Sequence, residues 1–251
     1  PSTLAQRTFE AALVNIAAGL DPEKVTLFVQ SHVPEHTELS WVFTTLTPLG
    51  DLTRMTQFKD KASKQETVWS GLLMYPVLQA ADILIYKADT VPVGEDQVQH
   101  IELTREIARR FNHLFGETFP EPQALLNPEA PRVPGIDGKA KMSKSLGNTI
   151  GLLEPEESIW QKIQHLPDDP QRIRLSDPGD PERTILFTYL SYFAPKDLVE
   201  ALKEEYRKAG VGTYVVKRIL FDHLMEALRP IRERAEALKK DPDYVMDALL
   251  E

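Results

Sequence analysis

The hydrophobic positions in the first part of the chain alternate between helical spacing and short β-branched runs. Over residues 3–18 the apolar side chains recur three and four residues apart, which predicts a helix that ends at Gly19. The run 25–29 is Val-Thr-Leu-Phe-Val and predicts a strand that is buried on both faces. Residues 36–47 return to helical spacing and predict a second helix.

The next stretch repeats this alternation. Residues 64–86 predict two helical stretches, the second beginning at Pro76, because proline suits the first turn of a helix. Residues 90–93 predict another strand, followed by Gly94 and a helix over about 96–114. Strands that alternate with helices predict an α/β fold with a Rossmann-type parallel sheet and flanking helices.

The pattern changes in the second half. Residues 116–151 are rich in Pro, Gly, Asn and Lys and lack periodicity, and long irregular segments are usually functional or disordered. After Pro155 the spacing is purely helical, with breaks at 167–181, 195 and 210–212. We therefore predict a sheet-containing domain over 1–154 and an all-helical domain over 155–251.

Composition narrows the class of protein. With 42% hydrophobic and 27% charged residues, the chain of 251 residues is typical of a globular protein and not of a collagen-like or disordered one. No apolar run approaches the roughly 20 residues that a membrane span needs, so no membrane partner is expected. The sequence has no cysteine, which excludes disulfides, thiolate zinc sites and a cysteine nucleophile, and which fits a reducing, cytoplasmic location.

The net charge is unevenly distributed. The formal charge of −9 argues against a protein that coats nucleic acid uniformly. The stretch from Lys196 to Lys240, however, contains 11 Lys and Arg residues and 8 Asp and Glu residues. This stretch is either a set of solvated helix faces with i,i+4 ion pairs, or a landing surface for phosphates. The candidate cations on such a surface are Lys217, Arg218, Arg229 and Arg232.

The most specific motif is Lys-Met-Ser-Lys-Ser at 141–145, with Gly-Lys before it and Gly-Asn after it. Two ammonium groups three residues apart, among small hydroxyl side chains and glycines, predict a flexible anion clamp. Lysine acts in such a clamp as a mobile point charge that follows phosphate as charge develops. The pentapeptide is the signature of class I aminoacyl-tRNA synthetases, and the chain resembles this family.

A second candidate site lies on one predicted helix face. Tyr75, Gln79 and Asp82 are spaced i, i+4 and i+7 within an otherwise apolar segment, which indicates a buried helix with one polar stripe. An unpaired buried carboxylate costs several kcal/mol, so Asp82 needs a partner. That partner is either a ligand with one N–H donor, such as indole, or a nearby arginine. A carboxylate that pairs with an indole N–H would reject phenylalanine by ~10⁴–10⁵ without editing.

Three further stretches resemble bacterial tryptophanyl-tRNA synthetases almost residue for residue: 54–61, 75–84 and 91–105. Tyrosyl-tRNA synthetases share the general plan and the Asp-Gln pair at 96–97, and they remain the alternative. The resemblance implies activation of tryptophan with ATP and Mg²⁺, and transfer from tryptophanyl-adenylate to tRNA(Trp). It also implies a homodimer with tRNA, and not DNA, as nucleic-acid partner, with catalysis over 1–154 and anticodon binding over 155–251.

The resemblance also assigns site residues, with no metal ligand among them. For tryptophan it implies Asp82, Tyr75, Gln79, Gln97, Gln57, Val91, Val93 and Gly94. For ATP it implies Lys141, Met142, Ser143, Lys144, Ser145, Gly94 and Asp96, and for catalysis Lys141, Lys144 and Lys61.

Four residues carry their own interpretation. Many bacterial members have methionine where this chain has Gln79, and a glutamine would hydrogen-bond the ligand or a neighbouring side chain. Glu95 and Asp96 are either helix-cap carboxylates or functional groups. His100 is predicted to be a hydrogen-bonded core residue without a chemical role.

The family opens with a strand and a His-Ile-Gly-His-type segment that cradles ATP. This sequence begins at the following helix, with Pro1 rather than methionine, so we expect that segment to lie outside it. A third interpretation is therefore a non-catalytic chain that holds tryptophan or tRNA.

Overall fold

The computed structural model describes residues 2–63, 65–126 and 133–249. Its longer elements follow one another along the chain as α1 (Ser2–Ala17), α2 (Glu35–Leu46), α3 (Leu49–Arg54), α4 (Thr56–Ala62), α5 (Ser70–Leu84), β1 (Thr90–Pro92), α6 (Val98–Phe115), β2 (Gln123–Leu125), α7 (Glu156–Gln164), α8 (Ile185–Phe193), α9 (Lys196–Arg207), α10 (Thr213–Lys239) and α11 (Pro242–Asp247). Short 3₁₀ turns cover Gln30–His32, Glu95–Gln97, Lys144–Leu146 and Pro181–Arg183. The fold class is the predicted one: a parallel sheet with flanking helices, and an all-helical part after it.

The chain packs as two compact units. One consists of Val29–Arg132, and the other combines Pro1–Phe28 with Val133–Glu251. This division groups the residues that pack against one another. The boundary between 154 and 155 divides the chain by predicted activity instead, and it stays a prediction.

In the unit 29–132, β1 and β2 form a parallel pair that is connected by α6. Thr90 lies opposite Gln123 and Pro92 opposite Leu125. The 3₁₀ turn Glu95–Gln97 links the carboxyl end of β1 to the first turn of α6. This is the edge at which open α/β sheets bind ligands.

The core of this unit lies between α2, α5 and α6. α5 contributes small and branched residues to it, so neighbouring helices approach closely, and the largest fully buried ring is that of Phe43 on α2. The buried members are Phe43, Leu52, Met55, Val77, Ala80, Ala81, Leu84, Leu103, Ile107 and Ala108.

Two predictions for this part of the chain were wrong, and one strand was missed. Residues 25–29 form no strand: Val25 and Thr26 are exposed, and the described sheet consists of β1 and β2 alone. A β-branched run becomes a strand only where a neighbour accepts its backbone hydrogen bonds. Pro76 does not open a helix but lies inside α5, where it is buried in the core. The described residues 65–86 therefore hold one helix rather than two, and β2 was not predicted.

The helical unit matches the predicted pattern more closely. α1 ends at Ala17, and Gly19 follows with φ +117°, a conformation that favours glycine. The breaks expected at 167–181, 195 and 210–212 separate α7, α8, α9 and α10. α10 is long and packs on α1, α7 and α8, and Arg234 Nε donates to the Ala17 carbonyl at 2.6 Å. Within the described residues, no helix combines the length and apolarity needed to cross a membrane.

Candidate active site

One face of α5 carries the three polar side chains that the sequence singled out. Tyr75, Gln79 and Asp82 are all partly exposed, while Ala80, Ala81 and Leu84 between and beyond them are fully buried. The helix is therefore anchored by its apolar face and presents its polar stripe for contacts.

Tyr75 and Gln79 belong to a hydrogen-bonded group that we call the amide network: Gln57, Tyr75, Gln79, Asp96, Gln97 and His100. Tyr75 Oη lies 2.9 Å from His100 Nε2 and donates to Gln57 Oε1 at 3.4 Å. Gln57 Nε2 donates to the Asp96 carbonyl at 2.9 Å, and Gln97 Nε2 donates to Asp96 Oδ2 at 3.0 Å. Gln79 Nε2 donates to Gln97 Oε1 at 3.4 Å, so a neighbouring side chain satisfies it.

The electrostatics of the amide network favour neutral rings. Burial raises the pKa of Tyr75. Burial, and then the Lys61 ammonium, lower the pKa of His100, while the Asp96 carboxylate acts in the opposite direction. Lys61 Nζ lies 4.9 Å from the centroid of the Tyr75 ring, a cation–π distance. Lys61 therefore joins the network through Tyr75.

A groove of about 750 Å³ opens beside the network. Gln57, Lys61, Asp96 and Gln99 are among its lining residues. At the end of β1, Val93 N–H donates to the Leu125 carbonyl at 3.0 Å, which holds the strand end next to the turn that carries Gly94. A Cβ at Gly94 would lie 2.8 Å from Asp96 Oδ1, so glycine lets that carboxylate fold back.

Asp82 belongs to a separate group, the Asp82 cluster: Gln30, His36, Asp82 and Tyr86. Gln30 Nε2 lies 2.8 Å from both carboxylate oxygens, and His36 Nδ1 lies 2.6 Å from Oδ1. Among the described residues the partners of Asp82 are thus a glutamine and a histidine, not an arginine. The Asp82 side chain keeps 33% of its surface exposed.

The signature pentapeptide lies in the other unit, in a turn that we call the signature loop, residues 133–148. Lys141 and Pro134 form an antiparallel bridge, and Gly138 and Gly147 have φ of +66° and +65°. Lys141 and Lys144 are exposed. The side chain of Ser145 lies outside the described part of the structure.

Asn148 ties the signature loop together from its centre. It is 4% exposed, and its Oδ1 accepts from the Ser143 N–H at 2.7 Å. Its Nδ2 donates to the Lys141 carbonyl at 3.2 Å and to Asp137 Oδ2 at 3.3 Å. Backbone N–H groups, that of Lys139 first, hold the pKa of Asp137 below its usual range.

The loop is fastened to the helical core at two points. Met142 packs against the core of the helical unit, and Tyr189 Oη donates to the Pro134 carbonyl at 2.6 Å. Burial raises the pKa of Tyr189 to about 12, so the phenol stays protonated in the neutral range. Met142 therefore packs the loop against the helical core.

The structure brings together most of the predicted tryptophan residues within the unit 29–132. Gln57, Lys61, Tyr75, Gln79, Asp96 and Gln97 join in or on the amide network, and Val91, Val93 and Gly94 form the adjacent strand end. Asp82 shares α5 with Tyr75 and Gln79 but has its own cluster. Lys141, Met142, Ser143 and Lys144 belong to the other compact unit.

One residue of the predicted phosphate-binding surface, Lys217, is not on the surface. Lys217 is 5% exposed, and its Nζ donates to the Gln164 and Leu166 carbonyls at 2.9 Å and pairs with Asp168 at 2.6 Å. It holds the C-terminal end of α7 and is not a surface cation. Arg218 stacks 5.3 Å from the Trp160 ring, and Arg232 donates to the Leu152 and Glu154 carbonyls. Arg229 is exposed.

Sequence reasoning missed Gln30, His36, Asp137, Asn148 and the link from His100 to Tyr75. One signal was present for His36: it stands among exposed polar residues at the start of a predicted helix, yet falls on the apolar stripe with Phe43, seven residues on. For Asn148 the signal was Asn after Gly next to the motif, a pair typical of turns.

Comparison with known proteins gives one family. The family model for class I tRNA synthetases (W and Y) matches residues 1–229. A tryptophan–tRNA ligase from Deinococcus radiodurans is 61% identical over 249 residues, which are 99% of this chain and 76% of that protein. The ligase from Thermotoga maritima is 45% identical over 94% of this chain and 73% of its own length.

A solved structure agrees with these relatives. The tryptophanyl-tRNA synthetase of Campylobacter jejuni, complexed with ADP and tryptophan, superposes with a TM-score of 0.87 at 36% identity. The match covers 99% of this chain and 77% of that one.

Proposed function

This chain belongs to the class I tRNA synthetases for tryptophan and tyrosine, and from that premise we propose how its residues carry out the reaction of a tryptophan–tRNA ligase. The function is the ligation of tryptophan to its tRNA with ATP. The observation that supports the residue assignment best is the polar stripe on α5, which carries the Asp82 carboxylate on the same helix face as the phenol of Tyr75 and the amide of Gln79.

Tryptophan lies along this stripe. Asp82 accepts the indole N–H, while Val91, Val93 and Gly94 at the end of β1 pack on the apolar body of the indole. Tyr75, Gln57 and Gln97 offer oxygen atoms to the ammonium group of the amino acid. Gln79 orients Gln97 rather than touching the indole, because its amide already donates to Gln97 Oε1.

ATP is held by ammonium groups. Lys141 and Lys144 of the signature loop, together with Lys61, balance the charge of the triphosphate, and Met142, Ser143, Ser145, Gly94 and Asp96 complete the nucleotide site. An oxygen of the tryptophan carboxylate forms a bond to the α-phosphorus, and the bond from that phosphorus to the bridging oxygen of pyrophosphate breaks. A hydroxyl of the terminal adenosine of tRNA then forms an ester bond to the acyl carbon of the tryptophanyl-adenylate, the bond from that carbon to the phosphate oxygen breaks, and AMP leaves with the proton of the hydroxyl going to solvent. Positioning and charge stabilisation supply the catalysis of the first step.

Mg²⁺ enters with ATP in this scheme. Asp60, Asp96 and Glu102 line the groove beside the amide network, but the described residues hold no group of three His, Cys, Asp or Glu side chains placed to bind a metal ion. The donor set therefore does not suit a resident metal. Phosphate oxygens are the ligands that Mg²⁺ prefers in nucleotide sites, and they bring it to the groove.

The division of labour extends to the partners. Residues 1–154 activate tryptophan, and 155–251 receive the anticodon part of tRNA(Trp). We propose that the active form is a homodimer and that it acts in the cytoplasm.

The test is ATP–pyrophosphate exchange with Lys144→Ala. We expect the exchange rate to fall by at least about tenfold, the effect of losing one charge-stabilising group in phosphoryl chemistry, while tryptophan binding stays within twofold of wild type. Lys139→Ala is the matched control, since Lys139 is an exposed lysine of the same loop outside the pentapeptide. Equal exchange rates in the two variants would remove the clamp role from Lys144.

A binding measurement with tryptophan and tyrosine tests the amino-acid assignment. The proposal requires tight binding of tryptophan and weak binding of tyrosine, since Asp82 is paired with the indole N–H. Preference for tyrosine would contradict the role of Asp82 and leave the family membership intact.

A further inference from the structure

The carboxylate of Asp82 is fixed by side chains from two other segments. Gln30 Nε2 lies 2.8 Å from both Oδ1 and Oδ2 and comes from the 3₁₀ turn that follows residue 29. His36 Nδ1 lies 2.6 Å from Oδ1 and comes from the first turn of α2. Three segments thus set both the rotation and the plane of the carboxylate.

His36 is itself held in one orientation. It is 2% exposed, and its Nε2 lies 2.9 Å from Tyr86 Oη, with the two ring centroids 5.4 Å apart. A carboxylate only accepts hydrogen bonds, so Nδ1 carries a proton, and in the neutral imidazole Nε2 accepts from the Tyr86 hydroxyl. The Asp82 carboxylate thus fixes the tautomer of His36, and the Tyr86 hydroxyl satisfies the second ring nitrogen.

One acceptor position of the carboxylate stays open toward a ligand. A carboxylate offers about four lone-pair positions, two on each oxygen. The described residues fill three of them: two on Oδ1, by Gln30 and His36, and one on Oδ2, by Gln30. The remaining position is on Oδ2, and the side chain is 33% exposed.

We propose that Gln30 and His36 are specificity-positioning residues, which hold Asp82 so that Oδ2 meets the indole N–H of tryptophan. This inference rests on the proposed function, in which Asp82 accepts that N–H. A carboxylate that cannot turn stays unpaired when the ligand has no N–H, and that ligand is rejected. A carboxylate without these two partners turns to water, and the discrimination is lost.

The test uses two ligands of nearly equal shape: tryptophan, and β-(3-benzothienyl)alanine, in which sulfur replaces the indole N–H. Calorimetry gives the ratio of their dissociation constants for each protein. We expect wild type to prefer tryptophan by about tenfold or more, the effect of one buried hydrogen bond to a charged group. Gln30→Met and His36→Leu each lower this ratio about three- to tenfold, because they keep the volume and remove the donor.

Rescue and control variants separate positioning from general damage. His36→Asn restores most of the ratio, since its amide nitrogen stands near the position of Nδ1. Gln161→Met repeats the glutamine substitution at an exposed residue of α7 and leaves the ratio unchanged. A merely structural disturbance would weaken both ligands equally and would not move the ratio.

Asp82→Ala distinguishes the role of Asp82 as indole acceptor from the role of Gln30 and His36 in positioning it. If wild type and Asp82→Ala give the same ratio, Asp82 does not meet the N–H, and the proposed role fails together with this inference. If Asp82→Ala abolishes the preference while Gln30→Met and His36→Leu keep it, the inference alone is overturned. If His36→Leu does not fold, Gln30→Met decides the outcome, because Gln30 is an exposed residue.

Discussion

The phenol oxygen of Tyr75 lies 2.9 Å from Nε2 of His100, whose Nδ1 is buried without a hydrogen-bond partner among the described residues. His100 is 0% exposed, and burial, followed by the nearby Lys61 ammonium, lowers its pKa, against the pull of Asp96. An imidazole with one orphaned nitrogen is hard to protonate, because the added charge would also lack a partner. Tyr75 therefore faces a neutral ring.

The depressed pKa of His100 gives a stability signature. An unfolded chain protonates this histidine near its ordinary pKa of 6.5, whereas the folded chain resists protonation. The contribution to stability is therefore present above pH 6.5 and is lost as the pH falls through the lower folded-state pKa. His100→Gln removes the titration, so its unfolding free energy should change less than that of wild type across this range in urea unfolding.

His32→Gln is the control for this pH series, since His32 is exposed. If the free energy of unfolding of wild type changes with pH in the same way as that of His100→Gln below pH 6.5, His100 is protonated without penalty in the folded chain.

Features that depend on residues near one another in sequence were predictable. The stripe of Tyr75, Gln79 and Asp82 follows from helical geometry alone, and α5 carries it as expected. The strand at β1 and the helix after Gly94 were also confirmed, because apolar periodicity and turn residues are local signals.

Features set by a distant partner were not predictable. Asp82 bonds Gln30 and His36, which are 52 and 46 residues away in the chain, and nothing in the helix that holds Asp82 indicates them. β2 is a strand only because β1 lies beside it, and 25–29 is not one because nothing does so among the described residues. Lys217 counted as surface charge in the sequence, since composition does not show that two carbonyls and Asp168 surround it.

Gly135→Ala should loosen the signature loop. An added Cβ would lie 2.1 Å from Asn148 Nδ2, so the amide that bonds Ser143 and Lys141 must move. Losing one buried amide's bonds costs about 1–3 kcal/mol. We expect a lower rate of ATP–pyrophosphate exchange, with tryptophan binding unchanged.

Asn148→Ala should have a similar effect on exchange, and the double variant should lose much less than the sum of the two, because both substitutions remove the same tie. Gly71→Ala is the control, as a Cβ at Gly71 meets nothing within 4 Å. Additive losses in the double variant would mean that Gly135 acts independently of Asn148.

Lys217→Met should destabilise the helical unit rather than weaken tRNA binding selectively. The substitution leaves the Gln164 and Leu166 carbonyls without their donor, at about 1–3 kcal/mol for each buried group. Lys208→Met makes the same exchange at an exposed position and should change the unfolding free energy little. Urea unfolding measures both. Equal free energies of unfolding for Lys217→Met and Lys208→Met would show that water replaces the Lys217 ammonium without cost.

Arg229→Glu is the cleanest test of a phosphate-binding surface over 196–240. Arg229 is exposed, whereas Lys217 and Arg232 hold backbone carbonyls, so their reversal would disturb the fold as well. If Arg229 contacts a tRNA phosphate, reversal weakens binding and lowers the slope of log affinity against log salt by about 1. Arg7→Glu makes the same change of charge on α1, outside this stretch, and should leave the slope unchanged. Binding titrations over a range of salt concentrations give the slope for each variant. Equal slopes for Arg229→Glu and Arg7→Glu would mean that Arg229 does not contact a tRNA phosphate.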